Sequence, residues 1–120
     1  MLRKQILSQL HEFFETLTLL SKANEDSIKI IESNPTFKDT IYYSEIKEGL
    51  TKQTDMLVKL GSLKEETLTL FNETADKGIA VVGLAEISPK IKEYNDVMAE
   101  YAALSNSIQV MYKNTFLPLN

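Results

Sequence analysis

The chain contains no cysteine and no tryptophan, and only one histidine, four glycines and three prolines. Without cysteine there is no disulfide, no thiolate zinc site and no cysteine nucleophile. A single histidine builds no histidine cluster, and the Glu-x-x-His pairs that hold iron inside helical bundles are absent. Gly49, Gly61, Gly78 and Gly83 form neither a Gly-x-Gly-x-x-Gly fingerprint nor a Walker loop, so no glycine cradle for a phosphate is present. No Gly-x-Ser-x-Gly nucleophile elbow occurs. No apolar run reaches the length of a membrane span. Met1–Leu2–Arg3–Lys4 begins like a signal peptide, but Gln9, His11, Glu12 and Glu15 break up the apolar stretch that a signal peptide needs. The expectation is a soluble, cytoplasmic protein with no cofactor, no metal and no membrane insertion.

Basic residues are also in short supply: 13 Lys and Arg face 17 Asp and Glu, for a net charge of −4. A nucleic-acid binder needs the opposite balance. The largest acidic surplus lies in residues 62–87, where Glu65, Glu66, Glu73, Asp76 and Glu86 outnumber Lys64 and Lys77. This stretch reads as a solvated face, with a dock for a basic partner as the functional alternative. At 43% hydrophobic and 25% charged residues, the chain is too apolar to stay disordered. Its 120 residues suffice for one domain, spanning 1–120.

What is present in abundance is heptad-like patterning. One stripe is Ile6, Leu10, Phe13, Leu17, Leu20, Asn24, Ser27 and Ile31. A second opens with Tyr43, Ile46, Leu50, Gln53, Leu57 and Leu60. A third runs from Ala80 through Leu84, Ile87, Ile91, Tyr94, Met98, Tyr101, Ser105 and Ile108 to Tyr112. Steps alternating between three and four residues place these side chains on one helix face. The pattern predicts an all-α fold: an elongated antiparallel three-helix bundle, up-down-up, with helices over about 2–32, 37–76 and 79–115 and a tail at 116–120. Helices of this length are about 45–60 Å long at 1.5 Å per residue, so the shape is a rod.

The boundaries come from the helix breakers. Ser33–Asn34–Pro35–Thr36 stops the first helix, and Thr36 with Asp39 resembles a capping box for the second. At Gly61–Ser62 two readings stand. A turn there, capped by Ser62 and Glu65, gives a four-helix bundle. An uninterrupted helix is favoured, because a two-residue link between antiparallel helices is short. Beyond Leu60 the strict repeat selects Lys64, Thr67 and Thr74. One four-residue step instead selects Leu68, Phe71 and Ala75, which are better core residues. Asp76–Lys77–Gly78 is the next turn. Ser88–Pro89 interrupts the third helix and predicts a kink or two coaxial segments near Pro89.

No constellation carries chemistry. His11 has Glu15 one turn away and no other activating neighbour in sequence. Glu12/Glu15, Glu45/Glu48 and Glu65/Glu66 read as solvated acids. The chain lacks the Trp-x-Gly signature of secreted helical hairpins. Asn24, Ser27, Gln53 and Ser105 interrupt the apolar stripes and read as register-fixing polar residues. An enzyme is not expected. The expected role is a protein-interaction module, an adaptor or structural subunit that packs helices against another protein or a second copy of itself. The alternative is a small acidic assembly or export chaperone that shields a client helix. Candidate contact residues are Phe14, Tyr42, Tyr94 and Tyr101, whose rings suit partly wet interfaces, with Phe116 and Leu117 in the apolar tail.

Overall fold

A computed structural model describes the backbone of residues 2–75 and 80–116 and the side chains of residues 3–74 and 84–114. It is all-helical over the described residues: α1 Leu2–Ser33, a single turn α2 Pro35–Lys38, α3 Tyr43–Ala75 and α4 Ala80–Phe116. The rod measures 63 × 21 × 19 Å. Helix directions are set by which residues meet. Arg3 donates to Asn72, Asn24 to the Leu50 carbonyl, and Glu32 pairs with Lys47, so α1 and α3 are antiparallel. Lys90 pairs with Glu66, Lys59 with Glu93, and Gln53 donates to the Tyr101 carbonyl, so α3 and α4 are antiparallel too. Hence α1 and α4 run parallel, on either side of α3.

Two apolar clusters fill the rod. The larger joins Phe14 and its α1 neighbours to Leu57, Leu60 and Phe71 of α3 and to Ile87, Tyr94 and Val97 of α4. The smaller joins Ile31, Phe37, Ile46, Leu50 and Ile108. Each fully buried Leu, Ile or Phe contributes about 1.5–3 kcal/mol. Between the clusters lies a polar layer. The Asn24 amide donates to the Leu50 carbonyl at 3.1 Å and accepts from the Thr54 hydroxyl at 2.8 Å. Gln53 donates to the Ser105 hydroxyl at 2.7 Å and to the Tyr101 carbonyl at 3.3 Å. These side chains occur once along the rod, so they lock α1 and α4 to α3 in one register.

Two boundary expectations are corrected. The second long helix starts at Tyr43, not residue 37. Asn34, not Thr36, is the N-cap of α2, its Oδ1 accepting from the Phe37 N–H at 3.1 Å. The reason is Phe37, which is 1% exposed and plugs the end of the bundle between the rings of Tyr43 and Tyr112. Residues 34–42 are used to cross from one helix to the next, closed by Thr40, whose hydroxyl donates to the Phe37 carbonyl at 2.7 Å. The apolar face beyond Leu60 follows the four-residue-step reading at Phe71, which is buried, but differs at Leu63 and Thr67, which are buried too, and at Leu68, which is only half-buried. Thr67 is admissible because its hydroxyl donates to the Leu63 carbonyl at 2.6 Å and leaves a methyl for the core.

α3 runs unbroken through Gly61, and α4 is one helix containing Pro89. The turn expected at Asp76–Gly78 and the tail beyond residue 116 lie outside the described residues. The continuity of α3 has a direct test. A Cβ at Gly61 meets nothing within 4 Å, whereas at Gly49 it lies 3.1 Å from Ile108 of α4. Gly61→Ala is therefore expected to raise stability by about 0.8–1 kcal/mol, the helix propensity difference. Gly49→Ala should gain less or lose, because Ile108 must give way. Urea denaturation of both variants reads the contrast. A loss at position 61 would place a turn there instead.

Candidate functional site

The three helices do not pack equally on all sides. α3 is stitched to α1 and to α4 by the polar layer and by Glu32–Lys47, Lys59–Glu93 and Glu66–Lys90, exposed pairs of small individual worth. The seam between α1 and α4 is open. Two grooves of about 360 and 320 Å³ lie along it. The first is apolar, between Ile6, Leu10 and Phe13 of α1 and Leu84, Ile87 and Ile91 of α4. The second is mixed: Asn24, Ser27, Gln53, Ser105 and Gln109 line it together with Leu20, Leu50, Ile108 and the rings of Tyr101 and Tyr112.

The lips of this seam are uncharged along its length. In heptad spacing, the outer lip of α1 is Gln9, Thr16, Ala23 and Ile30, all exposed. That of α4 is Ser88, Asn95, Ala102 and Gln109, also all exposed. The inner positions, Phe13, Leu20 and Ser27 facing Ile91, Met98 and Ser105, carry no charge either. Charged residues make up 25% of the chain, yet none occupies these lip and inner positions. Phe13 and Leu84 remain 38% and 41% exposed there.

Of the sequence-predicted contact residues, Tyr101 lines the second groove, and three are buried within the single chain. Phe14, Tyr94 and Tyr101 are 1%, 1% and 6% exposed and belong to the core of the rod. Phe14 meets Tyr94 edge-on at 4.9 Å, joining α1 to α4. Tyr42 is half-buried against the smaller apolar cluster. The side chains of Phe116 and Leu117 lie outside the described residues. Phe13, one residue from Phe14, is the ring that faces the groove. Spacing alone does not separate the two, because a broad apolar face includes both. The signal that does mark the seam is the absence of charge at every seventh residue of both lips, which is present in the sequence.

Other features are quiet. His11 and the Glu12/Glu15, Glu45/Glu48 and Glu65/Glu66 pairs are exposed. Among the described residues no group of three His, Asp or Glu is placed to hold a metal, and no helix is long and apolar enough to cross a membrane. Burial pushes the phenols of Tyr94, Tyr101 and Tyr112 above their ordinary value of 10.0. Their contribution to stability is complete below pH 10 and is lost as pH rises through the folded-state values. The Tyr94 hydroxyl is buried with no hydrogen-bond partner among the described residues. Tyr94→Phe removes that orphan and keeps the ring packing, so thermal unfolding should show a gain of about 1 kcal/mol. A loss of that size would instead reveal a bound water on the hydroxyl. Compared with known protein families, curated proteins and solved structures, the chain matches none.

Proposed function

We propose that this chain is a non-enzymatic helical interaction module, an adaptor or structural subunit acting in the cytoplasm. It packs its α1–α4 face against the helices of another protein or of a second copy. The carrying observation is the uncharged strip along this seam on both helices, with Phe13 and Leu84 partly exposed in it. Charged side chains are depleted from the cores of protein interfaces, because each must be stripped of water on docking. The lack of cysteine fits a reducing compartment.

Ala102→Glu tests the assignment. It places a charge at an exposed lip position, where the fold itself has little to lose. Affinity capture from the native host with wild type and variant should show binding lost in the variant, with the helical content unchanged by circular dichroism. Equal capture by both would rule this face out as the binding surface. The open groove also favours a second reading, a chaperone that shields a client helix. Rapid exchange of the captured helix, against a permanent complex, distinguishes them.

A further inference from the structure

We propose that the α1–α4 face is closed by a second copy of this chain, laid parallel to the first about a two-fold axis running along the groove. This rests on the reading of that face as the interaction surface and names its occupant. Such an axis places α1 of one protomer over α4 of the other at equal height. Heights are fixed within the chain to about one residue, since α1 and α4 are parallel, Phe14 meets Tyr94 with ring centroids 4.9 Å apart and Gln9 lines the same groove as Ser88.

The facing positions are then determined, and they match chemically. On the lips, Gln9 lies level with the partner's Ser88 and Thr16 with the partner's Asn95, two pairs able to exchange hydrogen bonds. Ala23 faces the partner's Ala102, which permits close helix approach. One heptad position further out, Glu12 stands opposite the partner's Lys92. Leu19, 68% exposed in the single chain, covers the partner's Ala99. Asp26 faces the amide of the partner's Asn106. Ile30 opposite the partner's Gln109 is the poorest match.

An antiparallel pairing matches less well. It sets α1 on α1 and α4 on α4, which separates Glu12 from Lys92 and leaves that pair of opposite charges unused. The size is adequate as well. The long side of the rod, 63 Å by 21 Å, leaves room for the roughly 800 Å² per partner of a standard stable interface.

Sedimentation equilibrium of the full chain tests the proposal, with circular dichroism confirming that each variant is folded. Wild type is expected at twice the mass of one 13.6 kDa chain. Glu12→Lys alone and Lys92→Glu alone should each weaken dimerisation about tenfold or more, as like charges then face each other. The double variant carrying both changes should recover it, because the swapped pair is again opposite. A wild-type monomer up to about 1 mM, the weakest affinity of interest, overturns the proposal. So does a dimer whose double variant shows no recovery. A monomer whose host partner is still lost on Ala102→Glu refutes the second copy and leaves the interaction module standing.

Discussion

Phe14→Ala is expected to lower stability by about 3–5 kcal/mol, the range for deleting a fully buried aromatic ring. Phe14 is 1% exposed and holds α1 to α4 through its edge-on contact with Tyr94. A domain of this size commonly has about 5–15 kcal/mol in total, so the variant sits near the edge of folding. Phe13→Ala is the control. Its ring is 38% exposed at the groove, and about 1–2 kcal/mol should be lost, in proportion to the area buried. Urea midpoints for the two variants measure the difference. Similar losses at both positions would mean that α1 is rotated from the orientation described.

Asn24→Asp is expected to produce the second large effect, and one that depends on pH. Asn24 is 6% exposed, and its amide nitrogen donates to the Leu50 carbonyl. A carboxylate there faces a carbonyl oxygen with no cation against it. At pH 7 the cost should be about 3–5 kcal/mol, that of a buried charge without a partner. Burial raises the folded-state pKa of such an aspartate. Stability therefore falls as pH rises from the unfolded value of about 3.9 to the folded value. Below about pH 4 the acid is neutral in both states and most of the loss should return. Denaturation of variant and wild type at pH 3 and pH 7 reads this directly. An equal loss at both pH values would point to shape rather than charge. No loss at pH 7 would mean that water in the groove beside Asn24 solvates the carboxylate.

Much of the fold is legible in the sequence because helical periodicity survives any local ambiguity. Spacing marks Leu10, Leu17, Ile46, Leu50, Leu57, Leu60, Ile87 and Ile108 as core, and all are buried. The rod shape, the up-down-up order and the continuity through Gly61 come from helix length and breaker positions. The connection around Phe37 is not legible. A helix beginning at Phe37 with Thr36 as its cap satisfies the capping rules as well as the observed turn does, and only the tertiary place of the Phe37 ring decides between them. Thr67 is easily undervalued, because its side chain looks polar until its hydroxyl is satisfied one turn back. The buried rings are hard to place for a related reason. Large aromatic side chains such as Tyr94 and Tyr101 look like partner-facing rings, whereas the proposed interaction face is marked by small uncharged residues, Ala23 and Ala102 among them.

The central question is which face of the rod is used. Photo-crosslinking in the native host from a reactive group at position 102, on the uncharged lip of α4, and at position 58 is the most direct measurement. Val58 is a fair rival, being 66% exposed and apolar on α3, away from the seam. Crosslinks to a second copy or another protein from position 102, with none from position 58, are the predicted result. Crosslinks from position 58 with none from position 102 would contradict it.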